Sequence, residues 1–570
     1  MHTPQDGRAN GAGRGHPASP GPPPLPRVDV LRVAEILAAA CLVVLVIVPL
    51  AAILVDSVTL VASGGLGDLP DFLPHLMRLT RNSLLLAGTV TVVVVGLSMP
   101  LAVFMTRALR ESAILRLGLT LPLLAPPFVS AFATIVLFGR VGVITQVLAR
   151  IGIVMPNIYG FLGIAVTHVM HLLPLAYLTI AAGLQSVPRA VEESAISLGS
   201  SPFQAITRVV LPYAAPHVYM AALLVFLASF GDVGAPLLVG GQYLVLPTEA
   251  FTRFISFMVD RRVPVLLSSW IVLISVVVMF AVRALMRRTA IAHTFTATTY
   301  MYEAPRLRAV GAAFCGSVAL ILFVPYLAIL VSSLATVWGP DLLPRALTLD
   351  HYRALWRSIG PLRNSLVISG VATPLAVLLA LAIGRLVREG GRLGAAMDFL
   401  TLLPFVISGV VLGIGIVRVY AQLEAAGLTV ALLSGPGLLV IAMVSRRIPY
   451  PVRVMNASFM RIDRSLEECS VSLGASSATT FARVTLPQLY PAILAASTIT
   501  FIQVIRELGA TLIVHRPGWM TLPVQIYGHA LEGNLGRAGA VSMVLLALVA
   551  VGTLVANLLA SRRPAGGLST

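Results

Sequence analysis

Residues 187–218 read VPRAVEESAISLGSSPFQAITRVVLPYAAPHV, and residues 462–494 read IDRSLEECSVSLGASSATTFARVTLPQLYPAIL. The two stretches share one skeleton: a glutamate, five residues, a glycine, twelve residues, a proline (Glu193, Gly199, Pro212; Glu468, Gly474, Pro487). They stand 275 residues apart, and a second match, Arg81-Asn82-Ser83-Leu84 with Arg363-Asn364-Ser365-Leu366, recurs at an offset of 282. The chain of 570 residues is therefore an internal duplication, with its halves in the same order.

Working outward, the composition says what each half is made of. The chain is 57% hydrophobic and 11% charged, against about 45–50% and about 25% in a soluble domain. Too few charges remain to cover a water-facing surface. Twelve apolar segments of about 20 residues, six per half, centre near residues 44, 95, 127, 173, 228, 274, 322, 375, 408, 448, 503 and 549. The third and ninth contain Pro122, Pro126, Pro127 and Pro404, which spanning helices tolerate where neighbours satisfy the freed backbone groups. The expected fold is an all-α polytopic membrane protein of about twelve transmembrane helices in two six-helix pseudo-twofold repeats. The expected divisions are a disordered cytoplasmic tail at 1–32 and a first permease-like unit at 33–288. A cytoplasmic linker at 289–308, a second unit at 309–563 and a short cytoplasmic tail at 564–570 follow.

All 40 basic residues are arginine, and there is no lysine. This excludes a Walker-type phosphate loop and Schiff-base chemistry, both of which need the lysine amine. The formal charge of +17 reads as orientation rather than nucleic-acid binding. Twenty-two arginines fall in the tails and alternate loops, 13 in the opposite loops and five within spans. Both termini, and both repeated loops, are expected in the cytoplasm.

In each repeated loop the acids stand at the head of a helical pattern, where the helix dipole favours them. Gly199 and Gly474 permit a turn or a close approach, and Ser201-Pro202 suits the start of a second short helix. The apolar face of that helix (Phe203, Ile206, Val209, Val210) asks for a partner protein to cover it.

These loops resemble the EAA loops of binding-protein-dependent ABC importer permeases, whose signature is Glu-Ala-Ala, a glycine and a Leu-Pro ending. Here the signature reads Glu193-Ser194-Ala195, Gly199, Leu211-Pro212 and Glu468-Cys469-Ser470, Gly474, Leu486-Pro487, with small residues at the departing alanine positions. The resemblance implies a transport subunit without enzymatic activity or cofactor of its own. It implies two copies of a cytoplasmic ATPase, carrying ATP and Mg, docked on the two loops. It further implies a periplasmic or lipid-anchored substrate-binding protein on the opposite face, a bacterial inner membrane and lipid as surroundings. An ion-coupled secondary transporter is the rival class, and it gives no reason for two matching loops.

Three further segments, Phe230-Gly231-Asp232-Val233-Gly234-Ala235-Pro236, Arg446-Arg447-Ile448-Pro449-Tyr450-Pro451-Val452-Arg453 and Val504-Ile505-Arg506-Glu507-Leu508-Gly509-Ala510-Thr511, resemble the branch that imports iron(III), thiamine or 2-aminoethylphosphonate. Asp232 and Glu507 correspond at the 275-residue offset, as do His171 and Arg446. Ionisable groups within spans are costly and are candidates for the pathway. The candidates are Asp232, Glu507, Arg506, Arg446, Arg447, His168 and His171. Two carboxylates would guide a cation, or would cap broken helices and pair with an arginine. The arginines would suit an anion. Iron(III) is the expected cargo from the frequency of that substrate in the branch, with 2-aminoethylphosphonate as the alternative.

Overall fold

The computed structural model describes residues 30–64, 72–109, 112–256, 262–289, 300–302, 305–336, 338, 344–428 and 435–561. The expected tails before residue 30 and after 561, and most of the linker, lie outside the described residues; residues 30–32 already belong to the first helix.

The described residues are helical almost throughout, with one isolated β-bridge, Ala335 to Leu347. Ten helical segments among them are long and apolar enough to cross a membrane. The pair Gly391–Val406 and Gly409–Ala425, bent by 109°, is long and apolar enough only when its two helices are taken together. The segment expected near residue 448 is present as two helices, Pro436–Arg447 and Pro449–Phe459, each too short to span alone. The expected twelve are thus ten plain spans, one broken pair and one split segment. The third span also differs. Its prolines do not sit at the middle: Pro122 falls in the tight turn Leu121–Leu124 after Ala113–Thr120, and the crossing helix runs from Pro127. Pro126 and Pro127 have no N–H to continue the earlier helix, so the chain restarts there.

The repeat is visible helix by helix. Phe161–Gln185 begins 275 residues before Pro436, and Leu211–Gly231 begins 275 before Leu486. Pro174 and Pro449 occupy the same place, yet Phe161–Gln185 continues through its proline. The second copy breaks at Ile448 because Pro451 follows Pro449, so two donors are missing within one turn. A single π turn also recurs, at Ile206–Val210 and Phe481–Thr485, just before the fifth and eleventh spanning helices.

The halves exchange their first spans. Val30–Ala62 packs on Gly360–Glu389 and Gly409–Ala425 of the second half, and Pro305–Leu334 packs on Phe72–Arg107 and Pro127–Phe138 of the first. Gly415 makes one crossing possible: a Cβ there would stand 2.5 Å from the Pro49 carbonyl oxygen. The buried Glu35 joins Arg385 across the same junction at 3.1 Å. One continuous apolar core accordingly draws on both halves, from Leu42 to Val549. Outward side chains such as Val58, Leu85 and Val92 stay exposed, as a lipid-facing surface requires.

Candidate functional site

The repeated loops fold as short helices, Arg189–Ser197 and Arg464–Ser472, on the same end of the bundle. Gly199 and Gly474 follow with φ +89° and +88°, and no atom lies within 4 Å of where a Cβ would be. Both glycines are therefore needed for the left-handed turn, not for space inside this chain. Beyond the turn, Ser201 and Gln204 form a capping box, with Gln204 N–H donating to Ser201 Oγ at 3.3 Å and Ser201 N–H to Gln204 Oε1 at 3.0 Å. Ser476 caps its copy by accepting from the Thr479 N–H at 3.2 Å.

The second short helix expected here is instead the opening of the next span, because Pro202–Ala205 runs through the π turn into Leu211–Gly231 without a break. Its apolar residues consequently divide. Val210 is buried in the bundle, whereas Phe203 stands exposed. Leu198 and Leu473, one residue before each glycine, are 87% and 89% exposed. Pro212 and Pro487 lie directly after the π turns inside continuous helices, and the irregular turn accompanies the missing N–H.

Glu193 and Glu468, the signature acids, point outward. Glu193 pairs only with Arg189, at 2.6 Å on an open surface, and Glu468 is exposed beside a cavity. Ala195 is half-buried. The anchors are the preceding acids, which sequence reasoning missed. Glu192 is fully buried: Arg107 Nε donates to it at 3.0 Å, the Tyr302 hydroxyl donates at 2.6 Å, and Arg107 also reaches the Leu184 carbonyl at 2.8 Å. Burial and the hydrogen bond to Glu192 push the Tyr302 phenol far above its ordinary value, so it stays a donor. In the second copy Arg388 donates to Glu467 at 2.8 Å and Thr485 Oγ1 at 2.6 Å. Burial alone would raise the Glu467 carboxyl, but the Thr485 and Arg388 hydrogen bonds and the Arg388 and Arg385 charges outweigh it and hold it low. This second anchor borders an open cavity of about 340 Å³ lined by Arg385, Arg388, Glu467 and Phe481. The Glu-Glu doublet in both copies was the signal that two acids, not one, were at work.

The candidates within the spans gather where the halves meet. Asp232 follows Leu211–Gly231 and accepts from the Ala235 N–H at 2.9 Å; Glu507 follows Leu486–Ile505 and accepts from the Ala510 N–H at 3.1 Å. Each carboxylate thus caps the short helix after it, Gly234–Val239 or Gly509–Val514. Their other partners differ. His168 contacts Asp232 at 3.1 Å and Ser229 at 2.8 Å, whereas Glu507 pairs with Arg447. Arg447 comes one turn further along the equivalent helix, at the place of Leu172. Arg506 donates to the Leu123 carbonyl and, at 3.2 Å, to Gln503 Oε1, which Arg447 also reaches at 3.3 Å. Tyr450 stacks beside Arg447, 5.8 Å from its guanidinium carbon. On the other side of the junction Ser408, at the 109° break, donates to the Gly231 carbonyl at 2.7 Å. His171 is buried, within electrostatic reach of Arg506, Asp232 and His168. The seven candidates therefore form one cluster. Gln503, Tyr450 and Ser408 belong to it; of these only Tyr450 lay in a segment that the sequence singled out. Among the described residues no group of three metal-ligating side chains is present.

Two loops of one design on one end of the bundle, and a charged junction between pseudo-symmetric halves, define a membrane transport subunit. The family of binding-protein-dependent transport system inner membrane components matches residues 90–291 and again 372–563. The chain belongs to that family, twice over, and is a fused ABC importer permease. Among relatives, a ferric transport system permease protein FbpB of Actinobacillus pleuropneumoniae is 26% identical over 493 residues, 83% of this chain and 70% of that one. A probable ABC transporter permease protein, y4fN of Sinorhizobium fredii, is 26% identical over 84% of this chain and 86% of its own. A putative 2-aminoethylphosphonate transport system permease protein, PhnV of Salmonella typhimurium, is 31% identical over 42% of this chain and 91% of its own. Among solved structures, a bacterial ABC transporter that imports alginate aligns with 45% of this chain and 96% of its own at 20% identity and a TM-score of 0.35.

Proposed function

We propose that this permease is driven by ATP through its two repeated loops. Two copies of a cytoplasmic ATPase, holding ATP and Mg, dock on Arg189–Ser197 and Arg464–Ser472, with Leu198 and Leu473 as their apolar contacts. Closure of the ATPase pair draws the loops together, and the anchors Arg107–Glu192 and Arg388–Glu467 transmit the movement into the spans. Both termini lie in the cytoplasm of a bacterium, the chain sits in the inner membrane, and a substrate-binding protein delivers cargo at the opposite face. The observation that carries this reading is the pair of exposed loops with the same helix, the same φ at glycine and the same anchoring ion pair. Replacing Gly199 or Gly474 by Trp should abolish uptake while leaving membrane insertion intact. Uptake that persists in both variants, or that continues in ATP-depleted vesicles on a proton gradient alone, would sink it.

For the cargo, the ferric permeases that align with most of the chain favour iron(III). The arginines at the junction favour the second reading, 2-aminoethylphosphonate, whose named relatives align with half the chain at higher identity. Uptake of labelled iron and labelled phosphonate by cells expressing the whole transporter separates the two.

A further inference from the structure

Arg446, Arg447 and Arg506 stand together at the junction of the halves, and their charges are not balanced. Arg447 has Glu507 as its counter-ion, but Arg506 reaches only neutral oxygens, those of Leu123 and Gln503. Arg446 makes no hydrogen bond or ion pair with the described residues, and its Nε is buried without a partner, as are the Nε atoms of Arg447 and Arg506. Gly409 lets the backbone approach this cluster closely: a Cβ there would stand 2.8 Å from Glu507 Oε1 and 3.5 Å from Arg446 Nε. The other carboxylate nearby, Asp232, turns its oxygens to His168 and the N–H of Ala235, not to an arginine. His171 adds a second unmet group, a buried Nδ1 without a partner.

Guanidinium groups stay charged at any pH the cell meets, and an uncompensated charge away from water is costly. Three guanidinium groups around one close carboxylate, Glu507, leave net positive charge that calls for an anion. The fork of an arginine fits two oxygens of one phosphorus-centred group, and several forks converging fit a tetrahedral group better than a planar one. A bare metal cation would meet net repulsion, so this inference rests on the second of the two cargo readings above, the phosphonate one. We propose that Arg446, Arg447 and Arg506, with Gln503 and His171, form a binding site for a small tetrahedral oxyanion of the phosphonate or phosphate class, placed on the pathway between the halves. The site does not depend on how the loops are driven: failed anion binding leaves ATP coupling standing, and failed coupling leaves the site standing.

The test uses the full chain in lipid nanodiscs with methylphosphonate as probe, followed by phosphorus NMR. Saturable binding is expected, and Arg446→Gln should weaken it about tenfold or more, as loss of a charged hydrogen bond does. Arg446→Lys, which keeps the charge but not the fork, should recover only part of the affinity. Competition by 2-aminoethylphosphonate but not by inorganic phosphate identifies an organic phosphonate as the natural occupant; the reverse identifies phosphate; competition by both supports the shared oxyanion chemistry. A readout that needs no variant is protection of Arg446 from phenylglyoxal by methylphosphonate, mapped by mass spectrometry. No saturable binding to the wild-type chain, the same affinity in Arg446→Gln, or labelling of Arg446 that methylphosphonate does not slow would overturn the proposal.

Discussion

Replacing Glu192 by Gln should loosen the first loop far more than Glu467→Gln loosens the second. The side chains of Arg107 and Glu192 are 1% and 0% exposed, and the carboxylate receives Arg107 and Tyr302 together. Glutamine keeps the shape but removes the charge, so Arg107 is left buried and uncompensated. Breaking one partner of such a pair costs about 3–5 kcal/mol. Arg388 and Glu467 are 9% and 28% exposed beside an open cavity, and water can replace the lost charge there. A partly exposed pair with one good geometry is worth about 1 kcal/mol. Amide hydrogen exchange in the nanodisc-held protein reads the difference directly, since exchange through local opening scales with the opening free energy. Residues 189–197 should exchange about a hundredfold faster or more in Glu192→Gln, and residues 464–472 about fivefold faster in Glu467→Gln. Equal effects in the two loops, or no effect at Glu192, would refute the argument that burial sets the strength of these anchors.

Other outcomes follow from the same geometry. Gly474→Ala should cost about 1–2 kcal/mol through its positive φ, and Gly474→Asn, which tolerates that region, should restore most of the loop's protection. If uptake still fails in the asparagine variant, the glycine is also a place of close approach for a partner. The second anchor should be insensitive to pH from 8 to about 5. The Glu467 carboxyl is held low, so its contribution is present above the ordinary glutamate range and is lost only as pH falls through the lowered value. Cleavage between residues 464 and 476 by an acid-tolerant protease should therefore rise only below about pH 4. Glu507→Gln removes the one carboxylate that faces Arg447 and should reduce the yield of folded chain as well as uptake, measured as monodisperse protein per cell mass. Gly415→Leu should destabilise the chain by overpacking against Pro49 and Ile53, seen as a lower melting temperature in nanodiscs.

Much of this was legible in the sequence because the duplication tests itself. The offset of 275 predicted that Asp232 and Glu507 would be equivalent, and both cap the short helix that follows. It also located Gly199 and Gly474, whose φ values agree within a degree. What could not be read was which of two adjacent acids turns inward. Glu192 and Glu193 differ by 100° around a helix, and only the positions of Arg107 and Tyr302, far away in sequence, decide between them. The span near residue 448 was expected whole because hydropathy averages over a window. Its break depends on two prolines within one turn, which a hydropathy average does not register. Gln503 was invisible because a neutral residue in an apolar run gains meaning only from what folding brings beside it.

The exchange of first spans fixes an order of assembly. Pro127–Phe138 leaves the ribosome long before Pro305–Leu334, the helix that covers it, and Val30–Ala62 waits for Gly360–Glu389 and Gly409–Ala425. Neither half can finish alone, so the first must persist in the membrane with unfilled faces until the second arrives. Carrying both halves on one polypeptide shortens that wait and guarantees the partner. It also means that a chain cut in the linker after folding should remain one particle, its two pieces held as clasped hands are held.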